Sequence, residues 1–312
     1  MGNINEVEEK IDRKPKEAQL LYAAENGQFE KLSSILADKD VQIDSPNSSA
    51  VTALFLAAKE GHDECLRLLL EAGACVNGIG VQNALSPLWV ATHAGHKNCV
   101  ERLVAAGANL NTKFPETPLY IAAREGKADC LKILIEAGSC VNVRNNRGQN
   151  PLHIACSEVH ESCVELLTNT ECELDAMDHS GCTPLHHACI NAPDGHRSVK
   201  MLVQKGAAVN VSSRYWNHAT SLHYCSQLGK LENIKLLLNY GANVFIKDKC
   251  GQTARERAHK HPECEKLLWE KEGNPPSLLQ LCCWTIREIL GAKRLNRVHE
   301  LPIPLTLQYS IL

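Results

Sequence analysis

Apolar positions recur along this chain in blocks of about 33 residues, each with the same internal order. A Thr-Pro-Leu element marks the start of each block. It reads Thr52-Ala53-Leu54, Ser86-Pro87-Leu88, Thr117-Pro118-Leu119, Asn150-Pro151-Leu152, Thr183-Pro184-Leu185, Thr220-Ser221-Leu222 and Gln252-Thr253-Ala254. The spacings are 34, 31, 33, 33, 37 and, counted to Thr253, 33 residues. A weaker copy begins near Ala18 and runs through Leu21-Tyr22-Ala23-Ala24. A fixed period of this length is the mark of a repeat architecture.

The marker predicts a helix start. Pro is tolerated at the first helical position, and the preceding Thr, Ser or Asn serves as N-cap. A short helix of small residues follows, as in Ile121-Ala122-Ala123, and then a Gly-His or Gly-Lys turn, as in Gly61-His62 and Gly126-Lys127. The second helix carries apolar residues at helical spacing, as in Cys130-Leu131-Lys132-Ile133-Leu134-Ile135. It ends at a Gly-Ala step, where Gly supplies a left-handed cap. A Val/Leu-Asn step then enters a hairpin loop, at Val76-Asn77, Leu110-Asn111, Val141-Asn142 and Val209-Asn210.

This order resembles the ankyrin repeat over residues 18–274, including Leu-His at Leu152-His153, Leu185-His186 and Leu222-His223. The resemblance implies an all-α solenoid of about eight repeats, each touching only its neighbours. Two departures stand out. The block from Thr183 carries extra residues at Asn191-Ala192-Pro193-Asp194-Gly195, between its helices. The hairpin before Thr220 is also longer than usual, with Ser213-Arg214-Tyr215-Trp216-Asn217-His218. Arg, Tyr and Trp on a lengthened loop have the composition of an interface hot spot, so Arg214, Tyr215, Trp216 and His218 are the candidate contacts to a protein target.

The pattern breaks at Ser277. Leu278, Cys282 and Ile286 fall on one helical face, and Leu281, Trp284, Ile289 and Leu290 add apolar surface on others. A terminal cap needs a polar outer face. This helix lacks one, which points to a partner groove. Ser277-Leu278-x-x-x-Cys282-x-x-x-Ile286 resembles the elongin-binding box of the SOCS box, and Leu301-Pro302-Ile303-Pro304 resembles its cullin box. Together with the repeats, the tail resembles the ankyrin repeat and SOCS box family. The chain departs from that family's pattern at Cys283, where Arg is common, and at Ser310, where Tyr is common.

The resemblance implies an N-terminal extension over 1–17, repeats over 18–274 and a three-helix SOCS box over 277–312. It implies a non-catalytic subunit that holds a protein substrate against a cullin-RING ubiquitin ligase. Leu278, Cys282 and Ile286 are expected to meet elongin C, in complex with elongin B. Leu301, Pro302, Ile303 and Pro304 are expected to meet cullin-5 with its RING protein. The rival expectation is an ankyrin scaffold or inhibitor whose tail only caps the repeats. By the same resemblance, Asn77, Asn111, Asn142 and Asn210 are candidates for hydroxylation, against a plain role as loop hydrogen-bonders.

Bulk numbers narrow the chemistry. The 33 Lys and Arg nearly balance 36 Asp and Glu, for a net charge of -3. That argues against nucleic-acid binding as the main task, which needs a clustered basic excess. No apolar run approaches the roughly 20 residues of a membrane span. The N-terminus is polar and acidic and does not read as a signal peptide. The 15 cysteines then indicate reduced thiols, in the cytoplasm or also the nucleus. Cys65, Cys99, Cys130 and Cys163 fall at equivalent repeat positions and are expected to pack rather than bridge. The His-x-x-Cys pairs His96/Cys99, His160/Cys163 and His261/Cys264 read as a turn His beside a core Cys, not as zinc ligands. His153, His186 and His223 read as structural, and no cofactor motif is present.

Overall fold

The computed structural model describes residues 15–78, 85–112, 116–194, 197–214, 217–273, 282 and 285–286. The chain divides into two compact units, Met1–Cys140 and Val141–Leu312. Among the described residues, unit 1 holds four helix pairs: α1 (Lys16–Glu25) with α2 (Phe29–Leu36), α3 (Ala53–Glu60) with α4 (Asp63–Glu71), α5 (Pro87–Ala94) with α6 (Lys97–Ala105), and α7 (Pro118–Arg124) with α8 (Ala128–Glu136). The described residues of unit 2 up to 273 hold four more: α9 (Pro151–Ser157) with α10 (Glu161–Thr168), α11 (Pro184–Asn191) with α12 (Arg197–Gln204), α13 (Ser221–Gln227) with α14 (Leu231–Asn239), and α15 (Ala254–Arg257) with α16 (Pro262–Gly273). Among the described residues no helix is long and apolar enough to cross a membrane.

Within each unit first helices stack on first helices and second on second. Small side chains make this possible. Ala57, Ala58, Ala91, Ala122 and Ala123 in unit 1, and Ala155 and Ala188 in unit 2, are fully buried. Cys65, Cys99, Cys130 and Cys163 fill the second-helix layer, all at 2% exposure or less. Burial pushes the Cys99 thiol up to about 12 and those of Cys130 and Cys163 to about 11, as expected of inert packing groups.

The marker residues cap as their chemistry dictates. Thr52, Ser86, Thr117 and Asn150 accept the amide three residues on, from Phe55 (3.3 Å), Trp89 (3.1 Å), Tyr120 (3.2 Å) and His153 (3.1 Å). In unit 2 the third helical residue answers the cap. Nδ1 of His153, His186 and His223 accepts the amide of Asn150 (3.2 Å), Thr183 (3.1 Å) and Thr220 (3.2 Å). Imidazole therefore replaces the Glu of an ordinary capping box. That geometry leaves Nε2 to carry the proton. His153 and His223 donate it to the carbonyls of Cys182 (3.1 Å) and Gln252 (3.2 Å). Each carbonyl belongs to the residue just before the next repeat's N-cap.

Unit 1 makes the same tie with a different ring. Trp89 holds the equivalent helical position, and its indole N–H donates to Glu116, just before the Thr117 cap, at 3.0 Å. The turn His works in the opposite direction. Nε2 of His62 meets the Glu25 carbonyl (3.1 Å) and that of His96 the Lys59 carbonyl (3.0 Å), both in the preceding repeat. Each ring packs on the preceding turn Gly. A Cβ on Gly27 would come within 2.7 Å of the His62 ring, and Gly27 has φ +67. Only glycine fits both demands.

Lys230 ties the start of the inserted stretch to the next repeat. Its ammonium donates to the carbonyls of Cys189 (2.6 Å), Ile190 (2.8 Å) and Ala192 (2.7 Å), at the C-terminal end of α11. In return Asp194 accepts the amides of Glu232 (3.0 Å) and Asn233 (2.9 Å) at the start of α14. Both charges complement the helix ends they meet.

Two stability predictions follow from these contacts. Lys230→Met strands three part-buried carbonyls and should cost about 2 kcal/mol, read from the urea midpoint. A change below about 0.5 kcal/mol would show that water replaces the ammonium. The second concerns acid. Burial lowers the His153 and His186 pKa values to about 4, below the ordinary 6.5. The unfolded chain therefore takes up protons first as pH falls. Stability from these groups is complete above pH 6.5 and is lost as pH drops towards 4, by roughly 2 kcal/mol per histidine at pH 5. Urea midpoints measured between pH 7 and pH 5 check this. The His153→Gln/His186→Gln variant should start lower at pH 7 and fall less between the two.

Candidate protein-interaction surfaces

The hairpins of unit 2 share one construction. Asn145, Asp178 and Asp248 each accept two amides of their own loop through one oxygen, as in Asp178 with Ser180 (2.8 Å) and Cys182 (2.9 Å). For Asn145 the donors are Arg147 and Gln149, and for Asp248 they are Cys250 and Gln252. These Asx turns fix the tip. A side chain from the following helix then takes the remaining oxygen. His187 donates to Asp178 at 2.9 Å and Arg257 to Asp248 at 2.6 Å. Burial works against both carboxylates. The hydrogen bonds from the loop amides and from His187 or Arg257 outweigh it and hold their pKa values below the ordinary range.

The long finger uses a neutral version of the same tie. Ser213 is fully buried and its amide donates to Ala219 at 3.0 Å, closing a loop with two more residues than its neighbours. Its hydroxyl donates to the Ala219 carbonyl at 3.1 Å, so the Tyr224 hydroxyl donates to Ser213, also at 3.1 Å. Tyr224, His187 and Arg257 occupy the same helical position in successive repeats. Asn217 and His218 adopt left-handed backbone, with φ 57 and 53. Of the predicted contact residues, Arg214 and His218 are exposed, and Tyr215 and Trp216 lie outside the described residues.

The hairpin asparagines form a ladder within each unit. In unit 1, Asn77 accepts the amide of Asn109 (2.8 Å) and Asn111 that of Cys140 (3.1 Å). In unit 2, Asn142 accepts that of Glu173 and Asn210 that of Asn243, both at 2.8 Å. Asp44 and Asp175 hold the same place with Cys75 and Ala208. Each of the four hydroxylation candidates thus carries a structural hydrogen bond.

Unit 1 presents a different feature. A cleft of about 440 Å³ has Phe55 and Trp89 in its floor and Lys59, Glu60 and His93 at its rim. Trp89 stacks on exposed His93 at 5.3 Å, with 8° between the rings. The His-x-x-Cys residues do not converge anywhere. His96 is engaged with Lys59, while Cys99 is fully buried in the packing layer. Among the described residues no group of three or more potential metal ligands is present.

The tail residues Leu278, Leu301, Pro302, Ile303 and Pro304 lie outside the described residues. Cys282 is helical and exposed, and Ile286 is helical and half-buried. Counting along the sequence locates the long finger but not its anchors. The signal was available: His187, Tyr224 and Arg257 are polar residues at one repeat position in helices otherwise built to be buried there.

Comparison with known proteins bears on both parts. A model of ankyrin repeats in three copies matches residues 4–80, 20–114, 76–145 and 119–213, and a single ankyrin-repeat model matches 217–249. A model of the SOCS box matches 274–309. Ankyrin repeat and SOCS box protein 5 of Bos taurus is 34% identical over 110 residues, 35% of this chain and 32% of that protein. Ankyrin repeat and SOCS box protein 11 of Homo sapiens is 34% identical over 114 residues, 36% of this chain and 34% of that protein. The chain thus matches about a third of the length of these curated relatives. The crystal structure of the human ASB11 ankyrin repeat domain superposes with a TM-score of 0.52 at 26% identity. It covers 85% of this chain and 100% of that one.

If the anchor at the finger base fixes its shape, Tyr224→Phe should speed amide hydrogen exchange at Ser213 by about tenfold while leaving α14 unchanged. Equal exchange in both proteins would mean that the Ser213–Ala219 bonds hold the finger alone.

Proposed function

The chain belongs to the ankyrin repeat and SOCS box family, and from that premise we propose that it is the substrate-recognition subunit of an elongin B/C–cullin-5 RING ubiquitin ligase. The observation that carries this reading is the order of the two elements. A SOCS box match over 274–309 begins directly after α16, the last of the repeat helices described. In this reading Leu278 enters the elongin C pocket, with Cys282 and Ile286 along the same helical face. Cys282 is exposed, as a residue awaiting a partner must be. Leu301, Pro302, Ile303 and Pro304 face cullin-5 and its RING protein.

The subunit performs no bond chemistry itself. It holds a client so that its lysines stay near the ubiquitin-charged enzyme, and the rate gain comes from effective concentration. The three histidines best placed to act as bases are instead buried caps with lowered pKa values. The client is held by the repeats, with the finger around Arg214, Tyr215, Trp216 and His218 as a contact. The fourteen described cysteines are all free, which supports work in the reducing cytoplasm or nucleus.

Affinity capture tests the anchor. The wild-type chain should co-purify elongins B and C, and Leu278→Ala with Cys282→Ala should lower their recovery at least tenfold while the repeats stay folded. Undiminished recovery would leave the tail as a mere cap and the chain as an ankyrin scaffold.

A further inference from the structure

The four hairpin tips of unit 2 are joined edge to edge. The His179 amide donates to the Arg147 carbonyl at 2.9 Å, linking the first tip to the second. Gly181, at φ +74, lies so close to the third that a Cβ there would meet the Arg214 amide nitrogen at 2.5 Å. The Lys249 amide donates to the Asn217 carbonyl at 2.7 Å, linking the third to the fourth. The tips therefore form one continuous ridge with fixed spacing.

The charge on this ridge has one sign. The described residues of its tips are 145–149, 178–182, 213–214 with 217–219, and 248–252, and the acids among them are Asp178 and Asp248. Both point inward, at 9% and 6% exposure, held by loop amides and by His187 and Arg257. Outward stand Arg147, His179, Arg214, His218 and Lys249, all exposed. Among the described residues no ion pair reaches the side chains of Arg147, Arg214 or Lys249, whereas neighbouring Arg144 is neutralised by Glu173 at 3.1 Å. A chain with a net charge of -3 thus concentrates unpaired cations on one edge.

We propose that this ridge is a docking surface for an acidic segment of a protein partner, and that this segment is what unit 2 recognises in a client. The second half of the proposal rests on the substrate-receptor reading. An extended acidic peptide running along the tips would meet one cation or imidazole per repeat. Each contact is weak alone, but steering and register come from the row. The inward-turned aspartates perform two tasks: they build the tips, and they keep negative charge off the ridge. Nucleic acid is the less favoured occupant, because the phosphate backbone calls for a larger basic excess than this chain carries.

The test uses the full chain and a fluorescein-labelled polyglutamate peptide followed by anisotropy. Wild type should bind it, and affinity should fall at least tenfold between about 0.05 M and about 0.5 M salt. The triple variant Arg147→Glu/Arg214→Glu/Lys249→Glu should bind at least tenfold more weakly at low salt. Among the described residues no ion pair ties those exposed side chains down, so the fold should hold. Reversal of exposed Lys200 and Lys205, away from the tips, should leave binding unchanged. Absence of binding, an unaltered triple variant, or tighter binding of oligouridylate than of the peptide would each overturn the proposal. Elongin capture by the same samples separates the two readings. The triple variant should keep it, and loss of elongin binding in the wild type would remove the ligase reading without touching the ridge.

Discussion

A single repeat of this chain cannot satisfy its own backbone. The carbonyl before each N-cap and the hairpin amides point sideways, at the neighbouring repeat. A buried peptide group without a partner costs about as much as a lost hydrogen bond. The structure meets this constraint with side chains that reach exactly one repeat along. The His153, His223 and Trp89 rings take the pre-cap carbonyl, and Asn77, Asn142 and Asn210 take the hairpin amide. Without these ties the helix pairs would have apolar contact but no fixed register. With them, hairpin tips are held at a regular interval, and a side chain at the tip has a defined neighbour on either side.

That regularity explains why departures are tolerated where they occur. The insertion near Asp194 would leave the end of α11 unsatisfied if nothing reached into it, and Lys230 from the next repeat does so. The long finger would flap if its base were open, and buried Ser213 with Tyr224 closes it. Both departures thus lie in connections between helices, one in a helix-to-helix turn and one at a hairpin tip. Those are the places where a repeat protein can change its partner without changing its stack.

Much of this was legible in the sequence. The 33-residue period, the N-caps, the structural histidines and the packed cysteines follow from local chemistry, because cap and answer lie three residues apart. Counting residues between markers also locates the insertion and the long finger. What counting does not reveal is equivalence between unlike residues. Trp89 and His153 make the same bond with different rings, and His187, Tyr224 and Arg257 anchor three hairpins with three chemistries. Nor does it show that Asp178 and Asp248 face inward, which decides the sign of the exposed edge. These facts depend on partners 9 to 29 positions away along the chain, a range over which a helix-period or strand-period pattern carries no signal.

The proposed division of labour gives the tail the ligase and the repeats the client. Hydrogen-exchange mass spectrometry of the full chain, with and without purified elongin B/C, tests it most directly. Saturating elongin B/C should protect amides within 277–290 and leave exchange in α1 to α14 unchanged. Protection that appears among the repeats instead, or nowhere, would contradict it.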